Sequence, residues 1–183
     1  MDRNTTLELL HEHTKNESLR KHAYSVEAAM RYYARSFGED EERWGITGLI
    51  HDFDYEKHPT QEEHPYVGVK ILEEKGYPED IRRAVLGHAP YTGVPRDTLM
   101  AKTLFAVDEL TGLITAAALV RPSKKIDDLK VSSVKKKMKD KGFARQVNRD
   151  EIRQGAEELG VDLDEHIDNV INAMKEVSDK LEL

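Results

Sequence analysis

The sequence predicts an all-α fold, a bundle of about eight helices, on three observations. Apolar residues recur at three- and four-residue steps through nearly the whole chain. No stretch alternates well enough to read as a strand. The breaks between periodic segments carry the Gly, Pro and short polar residues that stop and start helices. The chain of 183 residues suits one domain and is long enough to enclose a core.

Each element has its own signal. Thr5 or Thr6 caps a first helix running to about Lys15. A second starts near Ser18, sets Leu19, His22, Val26, Ala29, Met30 and Tyr33 on one side, and stops around Gly38. Acidic residues 39–42 suit the start of a third helix, where the macrodipole favours negative charge; it ends at about His51–Asp52. A polar loop, Phe53 to Glu62, follows. The next helix carries Val67, Val69, Ile71 and Leu72 and stops at Gly76, and Pro78 opens a short one over 79–88. A longer helix spans Asp97 to Leu119. The remainder reads as helices over 130–140, 148–159 and 163–181, with Gly160 ending one and Asp162 or Asp164 capping the last. Residues 1–120 form the core unit. Residues 121–183 form a basic connecting segment and C-terminal helices whose seam, including Ile167, Val170, Ile171 and Met174, packs on the same domain.

Composition removes several function classes. Mean hydropathy is −0.67. The most apolar run, Leu110 to Val120, is about half of the roughly 20 residues that a membrane span needs. The start, MDRNTTLELLHEH, lacks the basic-then-apolar order of a secretory signal, so a cytoplasmic location is expected. With no cysteine, disulfides, thiolate metal ligands and thiol nucleophiles are out. Net charge is −7, which argues against nonspecific nucleic-acid binding. Residues 121–149 depart from this, with 11 Lys and Arg against 3 Asp. Lys135–Lys137 reads as solvated surface, whereas Arg121, Lys124 and Lys125, just beyond the long helix, are candidates to reach an anionic substrate.

The eight histidines are the compositional oddity. One His-Asp dipeptide is uninformative by itself, because 8 His and 15 Asp in 183 residues give about 0.7 by chance. Position on the helices raises the signal. Asp108 shares a face with Ala101, Leu104, Phe105, Gly112 and Thr115, read here as the core-facing side, where a carboxylate needs a cation or a metal. His22 lines up with Val26, Ala29 and Tyr33. His51 follows Thr47 and Gly48 by one turn, and small Gly45 and Gly48 allow close helix approach. Three helices thus point imidazole and carboxylate groups inward. That chemistry suits Mn, Fe, Co, Ni or Zn, and carboxylate with water suits Mg.

An upstream His22, the pair His51-Asp52 at a helix end and a distant Asp108 on a long helix resemble the HD-domain metal-dependent phosphohydrolases, over about residues 18–120. Two further histidines, His64 before Pro65 and His88 at the end of RRAVLGH, resemble the subgroup with a dinuclear site. The resemblance implies one or two divalent ions. His22, His51, Asp52 and Asp108 would hold one, and Asp52, His64 and His88 the second, with Asp52 bridging. It implies Asp52 and Asp108 as catalytic carboxylates and a small phosphorylated substrate, a nucleotide or other metabolite, hydrolysed by water that the metals activate. For His64 and His88 the alternatives are pocket lining and helix capping around a single ion. Two alternatives remain: some di-iron relatives with the same ligand set oxygenate a small diol or phosphonate, and the same bundle can serve as a non-catalytic metal-containing binding module, against which the intact ligand positions argue.

Gly76-Tyr77-Pro78 shares its letters with the HD-GYP cyclic-dinucleotide phosphodiesterases, but here it precedes His88 and no His-His pair accompanies it; a helix–helix turn explains it. Asp54 is a candidate to orient one ligand. Spacing leaves Glu109 undecided between site and solvent. Tyr66 and Tyr91 read as pocket or core, Trp44 as core, and His11, His13, His58 and His166 as solvent-exposed without function.

Overall fold

The computed structural model describes residues 2–183. Among these the chain forms α1 (Arg3–His13), α2 (Glu17–Phe37), α3 (Glu41–Ile50), α4 (Tyr66–Glu74), α5 (Glu79–His88), a 3-10 turn (Pro90–Thr92), α6 (Leu99–Leu119), α7 (Val131–Lys139), α8 (Arg149–Leu159), α9 (Leu163–Lys175) and α10 (Ser178–Leu181). No strand occurs among the described residues. None of the described helices is long and apolar enough to cross a membrane.

The helix ends follow local chemistry. Asn16 Oδ1 accepts from the backbone of Ser18 and Leu19, and Asp162 Oδ1 from that of Asp164 and Glu165. These bonds satisfy first-turn N–H groups that have no partner inside the helix. Gly38 (φ 72°) and Gly160 (φ 74°) close α2 and α8 in the left-handed region, where a side chain would be strained. Two boundaries differ from expectation. Helix α1 starts at Arg3 because Asp2, not Thr5 or Thr6, supplies the cap, its Oδ1 accepting from Thr5 N at 2.9 Å. Thr6 instead turns inward and meets Tyr77 Oη at 2.9 Å. The last helix divides at Glu176–Val177, where Val177 N bonds back to Met174 O at 3.2 Å and its φ moves to −126°.

Helices α2 and α6 run through the core. Val26, Ala29 and Met30 of α2 and Leu104, Leu110, Leu113 and Ile114 of α6 have no exposed surface. Around them pack α3, α5, α8 and α9. Two glycines set the closest approaches. A Cβ on Gly48 would stand 2.9 Å from Met30 Cγ and from Val26 O, and one on Gly155 only 2.5 Å from Ala106 Cα. Backbone can therefore lie against backbone between α2 and α3 and between α6 and α8.

Three expectations need correction. The Asp108 side of α6 is only in part the core side: Ala101, Leu104 and Phe105 are buried, as are residues on nearly every other side of the helix, while Asp108, Gly112 and Thr115 are only partly covered and Leu119 is exposed. An almost wholly apolar helix gives no single core face, so periodicity misassigned it. His166 is fully buried, with Nε2 donating to Ala106 O at 2.8 Å and Nδ1 facing Tyr33 Oη at 2.6 Å. Both ring nitrogens are satisfied, so the imidazole tolerates burial. Lastly, the loop after α3 is not uniformly polar surface. Phe53 and Asp54 are buried, and the backbone turns on Tyr55 N→Asp52 O and His58 N→Asp54 O bonds of 3.0 and 2.9 Å. Gly76-Tyr77-Pro78 is the α4–α5 turn, with Gly76 at φ 76° and Tyr77 buried.

Candidate metal centre

Four elements and one loop deliver the site. His22 comes from α2, His51 from the residue after α3, Asp52 from the turn that follows, His64 from the residue before Pro65, His88 from the end of α5 and Asp108 from the middle of α6. The structure brings these six side chains into two groups that share Asp52. Asp52 Oδ2 lies 3.5 Å from His51 Nε2 and 3.8 Å from His22 Nε2. Asp108 Oδ1 completes this group, 3.0 Å from His22 Nε2 and 3.5 Å from His51 Nε2. Asp52 Oδ1 faces the other way, 3.2 Å from Nε2 of both His64 and His88.

The remaining ring nitrogens explain why every Nε2 points inward. His51 Nδ1 sits 2.8 Å from Gly48 O, and His88 Nδ1 bonds to Val85 O. A carbonyl only accepts, so both Nδ1 atoms carry the proton and both Nε2 atoms present a lone pair. His64 Nδ1 donates to Asp54 Oδ1 at 2.8 Å, and Asp54 Oδ2 accepts from Gly68 N at 2.8 Å. His22 Nδ1 is 3.4 Å from Thr111 Oγ1, whose hydroxyl donates to Asp108 O at 2.8 Å. Such outer contacts fix tautomer and ring orientation around metals.

Lone pairs of imidazole and carboxylate cannot face one another at these distances without a positive charge between them. His51 Nε2 makes the point most sharply, since it is buried with no hydrogen-bond partner among the described residues. Protons are one solution. Burial pushes the His51 imidazole down, but Asp52 and Asp108 outweigh it and hold the group well above its ordinary range. His64, also opposed by burial, is pushed up to about 9 by its bonds to Asp52 and Asp54. Against the opposite pull of burial, His51 holds Asp52 and Asp108 well below the usual carboxylate range. A divalent ion is the other solution, displacing those protons. Two ligands bound at about 2.1 Å stand about 3.0 Å apart across a right angle and about 3.4 Å across a tetrahedral one. The donor separations of 3.0 to 3.8 Å match this spacing, so these residues fit a metal.

The centre forms the floor of a cavity of about 560 Å³. Tyr55, Gln61, Tyr91, Glu109, Gln146 and Glu151 are among its walls. Tyr91 Oη donates to His64 O at 2.7 Å. Burial and the Asp108 charge push Glu109 up to about 7 and also raise Glu151. Arg121, Lys124 and Lys125 are not part of the lining. Leu119, the end of α6, lies about 16 Å along the axis from Asp108 at 1.5 Å per residue, and those three follow it. The basic segment reaches the site through Gln146 and Val147 instead, in a loop that Arg149 ties down by donating to Ala144 O and Val147 O at 2.6 Å each. Glu151 and Gln146 had no signal in the sequence, being remote from every ligand. Tyr66 and Tyr91 are both exposed rather than core, and Trp44 is buried.

A family model for the HD domain matches residues 19–113, which is 95 of the 183 residues. Neither curated proteins nor solved structures yield a match to this chain. The matched span runs from just before His22 to just after Asp108, and so contains all six residues of the cluster together with most of the helices that carry them. On that match, across half of its length, the chain belongs to the HD-domain family.

Proposed function

We propose that this chain is a metal-dependent phosphohydrolase with a dinuclear centre, acting on a phosphate ester of a small metabolite. In this reading His22, His51, Asp52 and Asp108 hold one divalent ion and Asp52, His64 and His88 a second. The observation that carries it is the division of Asp52, whose two oxygens each face a separate pair of imidazole nitrogens. A carboxylate serving one ion has no need of histidines on both sides. Divalent ions there would supply Lewis acidity, making water acidic near neutral pH and offsetting charge that builds on phosphoryl oxygens.

The protein's own groups do the rest. Gly48 O, Val85 O and Asp54 hold three imidazoles by Nδ1 with Nε2 turned to the centre before any ion arrives, which reduces the reorganisation that binding requires. The buried floor around His51 limits water to the open side of the cavity, where an ester must enter. Tyr91 braces the His64 backbone and forms part of that entrance.

The test strips the full-length chain with a chelator, reloads it with Mn, Co or Ni, and assays a panel of phosphomonoesters and phosphodiesters. Phosphate release that requires the ion and is lost in Asp52→Ala is expected. A loaded protein that turns over no ester contradicts the reading. Iron with substrate-dependent oxygen consumption would replace it with the oxygenase.

A further inference from the structure

The cavity above the metal centre holds no Lys or Arg among the described residues that line it. That is an unexpected wall for a site meant to take phosphate, because anion sites normally add cationic side chains to the metals. It carries instead two carboxylates that belong to neither ligand group, Glu109 and Glu151. Asn148, the capping residue of α8, holds them side by side. Its backbone N–H donates to Glu109 Oε2 at 3.0 Å and its side-chain amide donates to Glu151 Oε1 at 2.7 Å. Its own Oδ1 accepts from the backbone of Asp150 and Glu151 at 3.1 and 3.3 Å, so the clamp is built into the start of α8. Neither carboxylate forms a salt bridge among the described residues, whereas nearby Glu158 is paired with Arg96 at 2.7 Å. Each keeps one oxygen free of protein donors.

Resting on the phosphohydrolase reading above, we propose that the ester carries a primary ammonium group at its far end, seated between Glu109 and Glu151. The phosphate sits over the metals and the ammonium supplies the cation that this wall lacks. An ammonium has three donors and meets two carboxylate oxygens and one neutral acceptor without leaving a proton unpaired. Tyr55 and Tyr91, both about two-fifths exposed on the cavity wall, place no charge against it. A nucleoside triphosphate is the opposite kind of ligand: its extra phosphates would lie against Glu109 and Glu151 with no basic side chain to meet them.

The experiment separates binding from turnover. Calorimetry on the metal-loaded full-length chain compares two near-isosteric, non-hydrolysable probes, 2-aminoethylphosphonate and propylphosphonate, with inorganic tripolyphosphate as a third. The expected result is at least roughly tenfold tighter binding of the amino compound than of the propyl one, in line with a charge-assisted hydrogen bond. In Glu151→Gln, which keeps an acceptor for Asn148, that ratio should fall toward one. The wild-type ratio decides the matter even if the variant does not fold. Equal binding of the two phosphonates, or tighter binding of tripolyphosphate, overturns the proposal. Turnover of 2-aminoethyl phosphate and propyl phosphate is scored separately. Amine selection without any hydrolysis would refute the phosphohydrolase and leave the ligand class standing, while hydrolysis without amine selection would do the reverse.

Discussion

Gly68→Ala sets two magnitudes of opposite sign against each other. Gly68 lies in the first turns of α4, where alanine gains up to about 1 kcal/mol of helix propensity over glycine. A Cβ at this position would stand 2.7 Å from both Cγ and Oδ2 of Asp54, against an ordinary contact that begins at 3.4 Å. The carboxylate or the helix must therefore retreat by about 0.7 Å in a close-packed region. Asp54 has little room to retreat, being fully buried and held by 2.8 Å bonds to Gly68 N and to His64 Nδ1. Losing the second bond frees the His64 ring to rotate away from Asp52. Disturbing such an outer partner typically weakens metal binding about 10–100-fold, or roughly 1.4–2.7 kcal/mol. Titration of chelator-stripped protein against a chromogenic metal indicator reads each equivalent separately. The first should bind as in wild type and the second should weaken by that factor, with Asp54→Asn behaving alike. A variant that takes up its second ion with wild-type affinity would show that Asp54 does not position His64.

Three further outcomes follow from packing and charge. Gly155→Ala would drive a Cβ to 2.5 Å from Ala106 Cα, so overpacking of about 1–3 kcal/mol should exceed the propensity gain and lower the urea midpoint; a raised midpoint refutes the close α6–α8 contact. Burial holds His166 below its ordinary pKa of 6.5 despite its bond to Ala106 O. The unfolded chain then takes up the proton first, so this histidine's contribution is present above about pH 6.5 and is lost as pH falls. The stability advantage of wild type over His166→Gln should narrow between pH 7.5 and pH 5, and a constant advantage in denaturant titrations would count against a neutral buried imidazole. Joint replacement of Arg121, Lys124 and Lys125 by alanine should change ester turnover by less than about twofold, because charges beyond a Debye length of about 10 Å are largely screened. A tenfold loss would return them to the site.

Much of the fold was legible because helix ends are local events. Gly38, Gly76 and Gly160 mark stops, and Asp162 a start, from their own backbone preferences and short side chains. His22, His51, Asp52 and Asp108 stood out because imidazole and carboxylate at helical spacing among apolar neighbours demand an explanation. What escaped depended on contacts distant in sequence. His166 read as surface, since only the folded chain brings Tyr33 and the Ala106 carbonyl to its two nitrogens. Arg121, Lys124 and Lys125 looked close to Asp108 in order, but the run of α6 on to Leu119 converts that closeness into distance. Glu151 enters the cavity only because α8 packs on α6, a pairing that Gly155 permits and that no pattern around Glu151 announces.

The dinuclear reading of this HD-domain chain rests on Asp52 facing two sets of histidines, and metal content tests that directly. Elemental analysis of the full-length chain, purified and equilibrated with Mn, should find two ions per chain in wild type, one in His64→Ala and none in His51→Ala. Unchanged content in His64→Ala would reduce the centre to a single ion, and a wild-type chain that retains no metal would contradict the account at its root.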